Sequence, residues 1–443
     1  MRRRREFLSR RDVLAGLGGL VGALAWPWPE PACGQPGTAV ALRLGAGEAT
    51  LRGAAPASPI WDFVGSPLPR LTQGDVLDVA LTNDLPVAAL LNWRSCDGAA
   101  AAEPLLAQRP LPPGQSSTMR LTFGHAGTVL CDARLFGDGQ PLVLPAQGFV
   151  VGERRPPAVD ADHLVTITDW RIRPDGALVA PGQSPADATT VFTANGTADL
   201  DIPARRHARL RVRFINACHR SAIAIKLENH DLRVMAIDGQ PAAPFVARDG
   251  QLMLAAGARI DTFVDATAQP RTSSTLWLHD GLSPRLVGRL VYDDAEPLRR
   301  APLPPPPPLE SNGLPERLML TAAQRFELAV DARPGANAPG WQRPEAFTAG
   351  SPLAFRVKRG GTAVLALVNR GPTPVTFRLH GHHVRWLDRL DDGWKPFWLD
   401  TLLLPGGQTI RVAFAAEHAG AWMLEIMGTD WEMPRLVGWY AVE

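Results

Sequence analysis

The side chains able to do chemistry are few and unevenly placed in this chain of 443 residues, which carries ten histidines and four cysteines. His380, His382 and His383 lie close together, with His418 further on, and on an extended strand 380 and 382 fall on one face. That spacing suits a surface metal ion, or, more ordinarily, histidines paired with nearby carboxylates. Cys33, Cys96, Cys131 and Cys218 are too few and too scattered for a disulfide framework. No Ser-His-Asp order, Gly-rich phosphate loop or hydrolase-like carboxylate pair stands out. The formal charge of +2 gives no footprint for nucleic acid.

The elements that must position these residues read as strands. Forty-one glycines and 42 prolines punctuate short alternating runs such as RVRFIN and AVLALVN, the pattern of many short strands joined by turns. An all-β sandwich architecture follows. Three alternating strands end in asparagine, at Asn83, Asn216 and Asn369, and each is followed by a glycine turn, at Gly114, Gly257 and Gly407. In the first and third copies a matching stretch follows, HAGTVLCD and HAGAWMLE, with His125 seven residues before Asp132 and His418 seven before Glu425. Repeats of this length predict three related sandwiches, at about 37–153, 158–292 and 310–443. The proline run within 298–309 predicts a polyproline II spacer that cannot join a central strand.

The first 25 residues have a basic opening and an apolar run of signal-peptide length. Arg10-Arg11 after Ser9 matches a twin-arginine export signal, which predicts a periplasmic protein delivered already folded. Removing this segment takes away six arginines and two acids, moving the formal charge from +2 to −2. No later run is long and apolar enough to span a bilayer, so the mature protein is expected to be soluble, and a monomer.

Gly420 to Gly438, GAWMLEIMGTDWEMPRLVG, resembles the last copper-binding segment of the multicopper oxidases, and the resemblance extends over nearly the whole mature chain. It implies three consecutive cupredoxin-like Greek-key domains. The family places its copper ligands in four short motifs. On this chain they fall at Asn92 to Ser95, Gly127 to Arg134, Val375 to His382, and within the C-terminal segment. The implied trinuclear-copper positions are Asn92, Arg94, Asp132, Arg134, Arg378, His380, Glu425 and Met427, of which only His380 is still a histidine. The implied type 1 positions are Val375, Ile426, Trp431 and Leu436, and no cysteine lies beyond Cys218 to supply a thiolate.

This substitution pattern predicts a copper-free member without a catalytic centre or cofactor, with arginine–carboxylate pairs between the first and third domains and four apolar side chains filling one former pocket. Such a protein would act by binding a periplasmic or envelope partner. It is most similar to copper-free, twin-arginine-exported members of the septal ring in cell division. Two other readings compete: a copper-dependent oxidoreductase of laccase or cuprous-oxidase type, and a periplasmic module binding a small anion or metal in the arginine-rich cavity. The resemblance also puts Cys96 and Cys131 on neighbouring strands, which makes them the expected disulfide in an oxidising compartment. Trp386, Trp394, Phe397 and Trp398 border the substrate end of a laccase and are expected to pack a long loop, or to contact a partner.

Overall fold

The computed structural model describes residues 37–51, 56–65, 67–330, 340–348, 350–388 and 395–443. The signal segment at 1–25, Cys33 and Trp394 lie outside them. Among the described residues the regular structure is strand, with four three-residue 3₁₀ turns. Among the described residues no helix is long and apolar enough to cross a membrane.

The strands form three pairs of sheets. In the first pair, Thr38–Ala49 lies between Ser58–Val64 and Val76–Asn83, with Ser116–Thr122 at the far edge. The facing sheet runs Leu71–Thr72, Gln147–Gly152, Gly127–Asp132, Asn92–Arg94. Between them pack residues including Leu44, Leu77, Trp93, Phe123 and Phe149, the aromatic rings meeting edge to face. Sheets of six and five strands occupy 161–292 around a core that includes Val165, Phe214, Ile225 and Leu278. Sheets of four and five strands occupy 324–442 around Leu365, Phe377, Phe414, Trp422 and Tyr440. In each pair an early strand runs parallel to the asparagine-ended one.

The three asparagines have a common physical reason. Each is buried where its strand turns away from the sheet. The Asn83 amide donates to the carbonyls of Val87 and Leu111, and its oxygen accepts from Leu85 N. Asn216 repeats this with Ser221, Leu254 and Cys218, and Asn369 with Thr373, Leu404 and Gly371. One side chain thus satisfies three backbone groups that the ending strand leaves buried.

The segment 298–309 has no regular structure but is held down: Arg209 Nη2 donates to the carbonyls of Leu303 and Pro304 at 3.0 and 2.9 Å, and Leu298 N donates to Arg206 O. Phe397 packs on the second core beside Phe245, while Trp398 is buried in a side cluster with Arg385 over its ring.

Candidate functional site

The C-terminal strand Gly420–Gly428 sits centrally in its sheet, between Val375–Leu379 and Arg435–Val442. Glu425 is directly opposite Arg378 on one neighbour and Val437 on the other. Arg435, opposite Met427, is therefore its diagonal neighbour, within reach of a long side chain. Across the gap the first sandwich presents Asn92–Arg94, a strand paired with Gly127–Asp132.

These side chains meet around one carboxylate. Arg435 Nη1 donates to Glu425 Oε1 at 2.7 Å, and Asn92 Nδ2 donates to Oε2 at 3.2 Å. Arg94 and Arg378 stand at 3.6 and 3.7 Å. Arg378 also donates to Asn92 Oδ1 at 2.7 Å and to Trp93 O, so a third-sandwich cation closes on first-sandwich acceptors. Glu425 is 1% exposed. Burial alone would raise its pKa, but Arg435, His380, Arg94 and Arg378 outweigh that and hold it well below the usual carboxylate range. Burial and the neighbouring Arg94 lower Arg378 to about 10. His380 faces two acids, Glu103 at 2.8 Å through Nδ1 and Glu425 at 3.5 Å through Nε2.

The polar seam continues into the second sandwich. Arg94 Nη1 donates to Thr401 Oγ, which donates to Asp400 at 2.6 Å. Asp400 receives both terminal nitrogens of Arg259, at 2.9 and 2.6 Å, the bidentate geometry that suits guanidinium and carboxylate. Asp238 accepts from the backbone N–H groups of Arg259, Asp400 and Thr401. Ser95 Oγ and His383 Nε2 both bond the Asp238 carbonyl, and His383 Nδ1 is 2.5 Å from Asp97. Residues of all three sandwiches share this knot. Gly257, at φ +91, leaves room for it, since a Cβ there would meet the Arg94 guanidinium at 2.6 Å.

The structure brings Asn92, Arg94, Arg378, His380 and Glu425 together, but not the rest of the set. Arg134 turns away, donating to the Leu144 carbonyl of its own sandwich and to the Ala217 carbonyl of the second. Asp132 accepts from its neighbour Arg134 N rather than from Arg94 or Arg378. Met427 is buried beside this group and adds only a weakly accepting thioether sulfur. Val375, Ile426 and Leu436 share the third core, but Trp431 does not join them. Its indole N–H reaches Ala180 O and its ring lies between Arg171 and His219, while Met433 takes the place in the core.

Two other expectations fail for backbone reasons. The strand ends at Leu379 and Gly381 at φ +74 breaks the alternation beyond it, so His380 and His382 take different partners: His380 faces Glu103, while His382 bonds Tyr440 OH and accepts from the main-chain N of His418. Among the described residues no group of three His, Cys, Asp or Glu side chains is arranged to hold a metal. Cys96 and Cys131 are free thiols. Trp93 is the residue opposite Cys131, and Ser95 at φ +62 turns the chain out of the strand before Cys96. Burial, with Asp97 and Glu103 nearby, pushes the Cys96 thiol up to about 12.

Reasoning from sequence missed Arg435, Glu103, Asp238, Arg259 and Asp400. Arg435 had a usable signal, since a hairpin register places it diagonally from Glu425. The others had none, because residue type alone does not say which acid or base is buried.

Two family models described as multicopper oxidase match the chain, over residues 160–281 and 322–443. Laccase-1 of Cryptococcus neoformans var. grubii is 24% identical over 251 residues, 49% of this chain and 39% of that protein. Laccase-3 of Thanatephorus cucumeris is 26% identical over 273 residues, 54% and 46% of the two. The chain thus spans less than half the length of these laccases. Among solved structures, a multi-copper oxidase from Pseudomonas thermotolerans superposes with a TM-score of 0.79 at 21% identity, covering 92% of this chain and all of that one. Lac15 from a marine microbial metagenome gives 0.73 at 24% identity, covering 91% and 99%.

Proposed function

We propose that this chain, which belongs to the multicopper oxidase family, is a copper-free member that acts by binding rather than by oxidation. The observation that carries the reading is the chemistry of the donors around Glu425. Copper needs lone pairs from imidazole, thiolate or thioether. Arg94 and Arg378 offer only N–H donors, and Met427 brings a single thioether, too little for a cluster of imidazole-bound coppers. Glu425 is engaged by Arg435 and Asn92, and the one imidazole, His380, is already between two carboxylates. The residues present do not fit a copper cluster.

What this seam supplies instead is docking. Charge-assisted bonds tie the first sandwich to the third at Glu425, and all three at Asp400 and Asp238. Buried ion pairs contribute little net stability but penalise any other arrangement of the same surfaces. The product is a rigid three-sandwich body, exported to the periplasm through its twin-arginine segment, whose outer faces engage an envelope partner, with the septal ring as the setting.

The test is to express the exported protein in copper-supplemented medium, quantify bound metal, and assay oxidation of a phenolic dye. The expected result is less than about 0.1 copper per chain and no dye turnover above buffer, whereas a trinuclear cluster plus a type 1 site requires about four. Stoichiometric copper with a blue absorption band would overturn the reading in favour of a laccase-type oxidoreductase.

A further inference from the structure

A void of about 20 Å³ lies where the three sandwiches meet, away from the Glu425 carboxylate. Arg134 from the first, His219 and Arg220 from the second and Arg435 from the third line it, together with Asp138. Each of the three arginines keeps one buried N–H with no protein partner: Nη2 of Arg134, Nε of Arg220 and Nε of Arg435. Their other bonds are accounted for. Arg134 donates to the carbonyls of Leu144 and Ala217. Arg220 donates to Asp138 and to the carbonyls of His219 and Met433, and Arg435 to Glu425.

The charges facing the void do not balance. Asp138 is the lining carboxylate, and it already accepts from Arg220 Nη2 and from Arg435 N, both at 2.6 Å. His219 has both ring nitrogens engaged, at Asp169 and Leu144 O, and burial together with Arg134 lowers its pKa. Burial lowers Arg134 to about 10 even though Asp132 and Asp169 lie within electrostatic reach. Arg220 is paired with Asp138 and Arg435 with Glu425, which leaves Arg134 without a directly bonded carboxylate, and an orphaned donor on each of the three is costly in a buried site.

We propose that this void binds one halide-sized anion, chloride in the cell, held by Arg134, Arg220 and Arg435. The space admits a species about the size of one or two waters, and is too small for phosphate. A water molecule offers two lone pairs to three donors and no charge, whereas a halide accepts from all three and offsets the excess. The site goes beyond the copper-free reading: neither stands or falls with the other, because copper content is measured at different residues.

The test uses the full exported chain exchanged into gluconate buffer, crystallised, soaked in sodium bromide, and measured at the bromine absorption edge. An anomalous peak in the void, within about 3.5 Å of Arg134 Nη2, is expected for an N–H to halide contact. In solution, chloride should raise the melting temperature by about 2–4 °C over gluconate at equal ionic strength. That rise should vanish in Arg134→Gln. Ordered water without anomalous signal, or an undiminished chloride response in Arg134→Gln, overturns the proposal. If Arg134→Gln does not fold, the bromide map of the wild-type protein decides alone.

Discussion

Glu425 is held by unequal partners, and that inequality makes a prediction. Arg435 makes the short charge-assisted bond, while Arg94 and Arg378 stand about 1 Å further away. Arg435→Met should cost about 3–5 kcal/mol, because it strands a buried carboxylate without its direct cation. Replacing Arg94 and Arg378 together by Met removes two under-compensated cations and leaves the Glu425–Arg435 pair, so the change should stay within about 2 kcal/mol. Urea denaturation compares them, and a larger loss in the double variant would contradict this ranking. His383 predicts a pH dependence of a different sign. Burial would lower its pKa, but Asp97, at 2.5 Å, and Asp400 raise it to about 9. A histidine raised on folding stabilises fully below its unfolded value near 6.5 and loses that contribution as pH climbs through 9. Its carboxylate partner, lowered to about 2, gives its contribution up at the acid end. Melting temperature should therefore decline from pH 6.5 to 9, and His383→Gln, less stable at pH 6, should lack most of that slope. The upper bound on the difference is about 3 kcal/mol.

At the scale of elements, the sequence was readable wherever a backbone requirement picks a residue type. Asn83, Asn216 and Asn369 mark the same strand end three times because an amide both donates and accepts there. Gly381 kept the motif's register for a physical reason as well: at φ +74, an added Cβ would sit 2.2 Å from the Trp422 ring. Gly407 has nearly the same dihedral, φ +66, but nothing within 4 Å. Gly381→Ala should thus destabilise by about 3 kcal/mol or more, combining strain with a core clash. Gly407→Ala should cost only about 1 kcal/mol from the dihedral. Equal losses in thermal melts would show that packing against Trp422 is not what fixes the glycine. What sequence spacing misjudged were directions of side chains past an irregularity. Ser95 and Gly381 both have positive φ, and beyond them the alternation that placed Cys96 and His382 no longer applies. Trp431 lies past the end of its strand at Gly428, and its indole followed a carbonyl in another sandwich rather than the core.

For the whole molecule, the seam between sandwiches was the least legible feature, since its bonds join residues 333 apart at Asn92 and Glu425 and 141 apart at Arg259 and Asp400. The Arg94 and Arg378 positions were visible through their places in the motifs; Asp400 in the third sandwich and Asp238 in the second, the acids of the same seam, were not. Arg259 is the strongest test of whether the seam makes one body of three. Its guanidinium, 0% exposed, stands between Asp400 and Asp238. Arg259 is what keeps Asp400 far below the carboxylate range, while burial and Asp400 push Asp238 up. Arg259→Met leaves two buried carboxylates side by side, a loss of about 3–5 kcal/mol at pH 7. Because the damage falls between sandwiches, calorimetry should show the unfolding endotherm broaden or split as well as shift down. Adding Asp400→Leu removes one of the opposed acids and should recover about half of the loss. Acid should also help the single variant. A carboxyl whose folded pKa is raised destabilises above that value and ceases to do so once protonated. The gap between Arg259→Met and wild type must then narrow as pH falls from 7 toward 4. A gap that stayed constant would mean that the lost packing of the arginine, not its charge between two acids, holds the three sandwiches together.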